Sequence, residues 1–443
     1  MDDETYFPDT DLDLSFTSTA TDCTFASSSA RSSLTLNFNE SILMCSTPTN
    51  ANATANTSVN RISDPHWSAI KAAMKLSSDG KLHLKHLKLV GHLGTGNLGR
   101  VFLCHLRDCS STAFALKVID KDSLTSKKLS HVQMEAEILS MLHHPFLPTL
   151  YAHLEVPHYT CLLIDYCPNG DLHSLLLKQP RNRFSIQAVK FFAAETLVAL
   201  EYLHALGVVY RDLKPENILL REDGHIMLSD FDLCFKADVV PTLQNRLHRI
   251  SNKFWLRRNR CCCFGSVANR RDSDKMEAEF VAEPVTAFSK SCVGTHEYLA
   301  PELVSGNGHG NGVDWWAFGI LIHELLYGMT PFKGQSKEST LRKIASSRQL
   351  KIQVEKKEEK GVAEARDLIE KLLVKDPRRR LGCARGATDI KRQPFFDGVK
   401  WPLIRSYMVP EVRGLVRRTT SHVCSTVNIS HKNRDAGGRL YRF

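Results

Sequence analysis

A chain of 443 residues, 42% hydrophobic and 24% charged, is too apolar to stay wholly disordered. Its length suits two or three domains, or one two-lobed enzyme with tails. No apolar run reaches the ~20 residues that span a bilayer, the acidic start (Asp2, Asp3, Glu4) lacks the pattern of a secretory signal, and the 13 cysteines form no Cys-x-x-Cys pair. Membrane-spanning, secreted and zinc-knuckle readings are therefore not expected, and an intracellular chain with reduced thiols is. The net charge of +10 favours anionic partners: nucleic acid, acidic lipid or phosphate.

Residues 1–75 read as a disordered, Ser/Thr-rich N-terminal region without helical or strand periodicity. At its end, Asp64 to Lys75 has the signature of a short helix, with Asp64 as N-cap and Pro65 at the first helical position. From Leu87, short apolar runs alternate with turn residues. Leu87–Leu93, Val101–His105 and Ala113–Ile119 predict strands, Leu129–Leu142 a helix and Tyr159–Tyr166 another strand. Helical patterns follow at Ala188–Leu206, Val313–Tyr327, Thr340–Ser346 and Ala363–Leu373.

This order predicts an α+β fold of two lobes. A small β-rich N-lobe covers about 87–166, and a larger helical C-lobe covers about 167–396. Two stretches interrupt it. The insertion 236–290 lacks periodicity, and from 245 to 271 it carries eight Lys or Arg and no acid. The tail 397–443 is basic and poorly patterned, and it ends in Leu440-Tyr441-Arg442-Phe443.

Leu93-Gly94-Thr95-Gly96-Asn97-Leu98-Gly99-Arg100-Val101 matches G-x-G-x-x-G-x-V, whose glycines let backbone amides approach phosphates. Alone, the match also fits an ordinary hairpin or a dinucleotide site. The dinucleotide motif, however, opens a helix, whereas strand-like runs flank this one on both sides. Lys117 follows in an apolar strand, and Glu135 on the next helix is placed to hold it by an ion pair. Then comes Tyr210-Arg211-Asp212-Leu213-Lys214-Pro215-Glu216-Asn217. It supplies a carboxylate to accept a hydroxyl proton, a lysine for a transferring phosphate and an amide oxygen for a metal. Asp230-Phe231-Asp232 adds a metal-binding carboxylate.

On these residues the segment from Leu87 to Phe396 resembles a eukaryotic Ser/Thr protein kinase of the AGC group. Tyr210 before Arg211-Asp212 is typical of that group. So are Gly294-Thr295-His296-Glu297-Tyr298, Ala300-Pro301-Glu302, Asp314-Trp315-Trp316-Ala317-Phe318-Gly319, and Arg380 as the partner of Glu302. Asp232 in place of glycine, together with the long insertion, resembles the plant subfamily of phototropin-related and PINOID/WAG-like kinases. Asp232 is expected to restrict flipping of the Asp230 loop without preventing metal binding.

The resemblance implies ATP and Mg²⁺ as cofactors. ATP would lie under the Leu93–Val101 loop, its adenine at a hinge near Asp165, Tyr166 and Cys167, and Lys117 on its phosphates. Asn217 and Asp230 would hold Mg²⁺, with Asp212 and Lys214 as catalytic residues. Ser291, with Ser289 as a second candidate, is the expected activation-loop phosphosite, met by Arg211. Asp171, Glu216 and Glu324 match the acidic residues that read basic positions upstream of the acceptor. The implied substrates are protein loops with Arg or Lys before the Ser or Thr, foremost hydrophilic loops of PIN auxin-efflux carriers. The end of the tail would either dock on the small lobe and recruit an upstream AGC-activating kinase, or fray; Leu440 stands where a first Phe is usual.

The basic stretch 245–271, with Phe254, Trp255 and Leu256 among its arginines and Cys261–Cys263 available for acylation, suits an acidic phospholipid surface. A solvated loop or a nuclear-localisation signal is the other reading of the same charges. The expected location is therefore the cytoplasmic face of the plasma membrane, with cytoplasmic and nuclear pools. Too few aromatics interleave with the charges for nucleic acid to be expected as a partner. A monomeric active kinase is expected. The competing class is a kinase-like scaffold recruited to membranes, against which the intact Lys117, Asp212, Asn217 and Asp230 argue.

Overall fold

A computed structural model describes residues 64–107, 109–239, 241–248, 275–284, 286–352 and 359–416. The chain opens on helix α1 (Pro65–Lys75), whose N-cap Asp64 accepts from the His66 amide at 2.9 Å. An antiparallel sheet follows, built from β1 (Leu87–Thr95), β2 (Arg100–Leu106), β3 (Cys109–Asp120), β4 (Leu150–Glu155) and β5 (Tyr159–Asp165), in the order β1-β2-β3-β5-β4. Helix α2 (Ser126–Met141) lies between β3 and β4 in sequence.

Strand alternation fixes the two faces of this sheet. Phe114, Leu116 and Val118 of β3 join Leu87, Leu106 and Leu163 in one apolar cluster. Ile119 joins the other cluster with Leu162, and the period of two puts Lys117 on that second face. Ile70 and Ala73 of α1 are buried in the first cluster. The expectation of disorder through residue 75 is therefore corrected over 64–75: burying this apolar stripe orders the helix. Residues 1–63 lie outside the described part.

The C-lobe contains α3 (Leu172–Leu177), α4 (Ile186–Ala205), α5 (Pro301–Val304), α6 (Gly312–Tyr327), α7 (Lys337–Ala345), α8 (Val362–Leu372) and α9 (Ala387–Lys391). Helix α6 is apolar on nearly every face and is the buried centre of the lobe, with Trp315, Trp316 and Phe318 fully enclosed. Gly319 allows the close approach of α8, since a Cβ there would come within 2.9 Å of Leu372 and Leu373. Short pairs β6 (Val208–Val209) with β9 (Phe235–Lys236), and β7 (Ile218–Leu220) with β8 (Ile226–Leu228), hold the loops that face the small lobe.

Two further boundaries are corrected. The insertion is not wholly without regular structure: β10 (Thr242–His248) pairs antiparallel with β11 (Lys275–Val281), from Thr242↔Val281 to His248↔Lys275. Residues 249–274, which hold most of the basic stretch, lie outside the described residues. The first part of the tail packs on the C-lobe through buried Ile404 and Val409, and the Arg413 carbonyl accepts from Gln179 Nε2 at 2.8 Å. Leu440 and Phe443 lie outside the described residues. Among the described residues, no helix is long and apolar enough to cross a membrane.

Candidate active site

The glycine-rich segment is the turn between β1 and β2, with Gly94 opposite Val101 and Thr95 opposite Arg100. The Gly96 amide donates to the Gly99 carbonyl at 2.9 Å and closes the turn. A Cβ at Gly99 would overlap the Val118 carbonyl, so this position needs glycine for packing. A Cβ at Gly94 would meet nothing within 4 Å. Backbone there borders open space that a phosphate can enter. Leu98 is buried, Leu93 is half-exposed, and Asn97 Nδ2 reaches Asp232 Oδ2 at 3.5 Å.

Beneath the sheet, Lys117 Nζ donates to Glu135 Oε1 at 2.6 Å, to Glu135 Oε2 at 2.8 Å and to Asp230 Oδ1 at 3.2 Å. Burial alone would lower the Lys117 pKa, but Glu135 and then Asp230 outweigh it and hold the ammonium charged above its ordinary range. Burial raises the Glu135 pKa against the opposing pull of Lys117.

The loop between β6 and β7 carries the second cluster. Asp212 Oδ2 accepts from Lys214 Nζ at 2.9 Å and from Asn217 Nδ2 at 2.8 Å. Asp212 Oδ1 accepts from Thr295 Oγ1 at 3.2 Å, and Lys214 also donates to Thr295 Oγ1 at 3.0 Å. Burial raises the Asp212 pKa despite Lys214. A carboxylate so placed is suited to accept a proton from a hydroxyl. Asp314 of α6 holds this loop from below: its Oδ2 accepts the Tyr210 amide at 2.8 Å and its Oδ1 the Arg211 amide at 2.7 Å. Arg211 and Asp230 are both non-glycine residues in the left-handed region, at φ 67 and 58. Such strain persists only where neighbours over-determine it.

The donor set fits a divalent cation shared with a polyphosphate. Asn217 commits its amide nitrogen to Asp212, which leaves its carbonyl oxygen to a cation, and Lys117 engages only Oδ1 of Asp230. Among the described residues no group of three or more His, Cys, Asp or Glu could hold a metal by itself. Two protein oxygens completed by substrate phosphates are enough for a hard divalent cation such as Mg²⁺. Asp232 lies outside the left-handed region, so replacing glycine there costs no backbone strain. Its carboxyl is pushed up to about 7 by burial and by the neighbouring Asp230 charge, and its Oδ1 has no hydrogen-bond partner.

The remaining predicted residues are placed as follows. The Asp165 carboxylate is turned inward, accepting from the Thr149 amide at 2.7 Å and the Tyr151 hydroxyl at 2.9 Å, so only its backbone can serve a hinge. The Cys167 side chain is buried against Met227, and burial pushes its thiol up to about 12. Arg211 Nη1 meets Ser289 Oγ at 3.2 Å, while Ser291 is exposed and touches Ser289 through its amide. Asp171 is the N-cap of α3, accepting the Ser174 amide at 2.7 Å. Glu324 accepts from the Tyr298 hydroxyl, and burial raises its pKa. Glu216 is exposed, 3.9 Å from His173 Nδ1. Arg380 pairs with both oxygens of Glu302, at 2.6 and 2.9 Å.

Three contributors carried no local sequence signal of their role: Thr295 as the bridge between Asp212 and Lys214, and His204 with Glu283 beneath the loop. The motif around Gly294-Thr295 marked the segment but not the contact.

Comparison with known proteins agrees with this geometry. The protein kinase domain family matches residues 87–248 and 260–396. The chain is 67% identical over 430 residues to the serine/threonine-protein kinase WAG1 of Arabidopsis thaliana, covering 95% of this chain and 90% of that one. It is 67% identical over 435 residues to WAG2 of the same plant, covering 97% and 90%. It is 43% identical over 425 residues to Arabidopsis protein kinase PINOID 2, covering 80% of each.

Proposed function

This chain belongs to the protein kinase domain family, as a plant serine/threonine kinase of the PINOID/WAG-like AGC type, and from that premise we propose that it transfers the γ-phosphoryl group of ATP to Ser or Thr in basic sequence contexts. The observation that carries the reading is the convergence of Lys117 on Glu135 and Asp230 beside the Asp212, Lys214 and Asn217 cluster.

In this reading Asp212 orients the acceptor hydroxyl and takes its proton, and Lys214 steadies the oxygens of the group in transit. Lys117, fixed by Glu135, is aimed at the α- and β-phosphates. Asn217 and Asp230 would hold Mg²⁺, which when bound neutralises charge on the phosphoryl oxygens. The chain's own contribution is position and fixed charge. Asp171, Glu216 and Glu324 are the proposed readers of basic residues in the substrate. Ser289 and Ser291 are the proposed phosphosites, and the Arg211–Ser289 contact supports the first of them. The resemblance to PINOID/WAG-like kinases supports PIN-type efflux-carrier loops as substrates. The composition of 245–271 supports a place at the plasma membrane.

The test is a peptide array extended with purified PIN-type loops, comparing the wild type with Asp212→Asn. Phosphate should enter Ser or Thr peptides with Arg or Lys two or three residues upstream, and only with the wild type. Equal incorporation by Asp212→Asn refutes the catalytic assignment. Indifference to the basic residues refutes the substrate class.

A further inference from the structure

Glu283 follows β11 at the C-terminal end of the inserted hairpin, yet its carboxylate is buried inside the C-lobe at 5% exposure. Burying a charge from a surface insertion is costly unless it is paired. Here it is paired twice, because Glu283 Oε2 lies 2.7 Å from His204 Nδ1 and accepts from Asn311 Nδ2 at 2.9 Å. The surrounding backbone is shaped around the carboxylate, since a Cβ at Gly386 would overlap it. The other ring nitrogen, His204 Nε2, lies 2.9 Å from Asp314 Oδ2. With an ionised carboxylate facing each nitrogen, both nitrogens donate, which is the imidazolium form. Burial opposes that charge, but Glu283 and Asp314 more than offset it and push the ring up to about 10. The same Asp314 holds the Tyr210 and Arg211 amides, next to Asp212.

We infer that Glu283 is a positioning residue of the catalytic loop, acting through His204 and Asp314, and that the stem of the insertion is thereby built into the phosphoryl-transfer site. The inference rests on the kinase reading above. Without Glu283, His204 loses one of two anchors. The ring is then held by Asp314 alone, so its position and charge are less fixed, and a shift of the ring is passed to the carboxylate that holds the Tyr210 amide and the left-handed Arg211. In the proposed function most groups that face the nucleotide, the β1–β2 turn, Lys117 and Asp230, lie outside this relay.

The test uses the full chain carrying Glu283→Gln, with turnover, nucleotide affinity and the His204 ring charge measured on the same preparation. The ring is followed by NMR of labelled histidine through an alkaline titration. Turnover should fall at least about tenfold, the scale of a modest misplacement of reacting groups. The dissociation constant for a fluorescent ATP analogue should stay within about twofold, and the His204 titration should move to lower pH. Should that variant fail to fold, Asn311→Ala removes one bond to Glu283 while keeping every charge, and should reduce turnover to a smaller extent with the same split. Wild-type turnover in the folded variant overturns the inference, as does a fall in turnover matched by lost nucleotide affinity. If wild-type protein has no turnover that Asp212→Asn abolishes, the kinase reading is what fails, and the ring titration still decides whether the relay exists.

Discussion

Glu135→Gln isolates the ion pair on which the nucleotide site depends. Lys117 and Glu135 side chains are 8% and 3% exposed, so the pair is sheltered from water. Removing one member of a buried pair costs about 3–5 kcal/mol, largely because the other charge is left uncompensated. Here Asp230, at 3.2 Å, remains to take the ammonium, so part of that cost is recovered. The recovery has a consequence of its own: a Lys117 drawn to Asp230 competes with the cation that Asp230 would hold. With about 2–3 kcal/mol left as the functional loss, kcat/KM should fall roughly 30- to 150-fold. The Mg²⁺ concentration needed for half-maximal rate should rise as well. The assay is steady-state peptide phosphorylation across a Mg²⁺ titration, with the melting temperature checked for each protein. A kcat/KM within about threefold of wild type, in protein that melts normally, refutes the argument that this pair sets the site.

Three other outcomes are expected. The folded His204 ring titrates at about 10 against 6.5 for the free side chain, so its contribution to stability is complete below about pH 6.5 and is lost as pH rises toward 10. The melting temperature should fall across that window, and Glu283→Gln should flatten the fall; a wild-type profile flat from pH 7 to 10 would contradict the charged ring. Ser289→Ala should lower activity more than Ser291→Ala, because Arg211 meets Ser289 directly, and phosphate found by mass spectrometry only on Ser291 in the active enzyme would reverse that order. Acidic but not neutral vesicles should co-sediment the protein, less so with salt and less so when Arg257, Arg258 and Arg260 become Ala; equal recovery on both vesicle types removes the support for a membrane role.

The catalytic chemistry was legible because phosphoryl transfer needs a few residue types at short spacings, and Asp212, Lys214 and Asn217 sit within one loop. The sheet was legible where strands are central and apolar, as in β3 with Phe114, Leu116 and Val118. Strand β4 carried a weaker signal: it is an edge strand that pairs only with β5, and its burial alternates with exposure. The β10–β11 hairpin was missed for a different reason. Its partners are separated by 249–274, so the pairing is a tertiary event that no local window reports. Even so, Met276, Ala278 and Phe280 alternate with polar residues in sequence, a period-2 trace that could have been counted.

What stayed hidden in the site was the support beneath it. His204, Glu283 and Asp314 come from α4, the end of the insertion and α6, and only folding brings the two carboxylates within 2.9 Å of the His204 ring. In sequence His204 and Glu283 read as ordinary polar residues, Asp314 is marked only as part of a motif, and His204 sits in a helix whose other buried positions are mostly apolar. Buried polar groups of this kind demand partners, so an unexpected charge at a core position of a helix is itself evidence of a partner elsewhere in the chain. Asp232 is the counterexample that sharpens the rule. It was flagged in sequence as a departure from glycine, yet the left-handed backbone that favours glycine falls on Asp230 instead. In this conformation the mark of Asp232 is therefore electrostatic: a buried carboxyl with one unpartnered oxygen, set against the Asp230 charge.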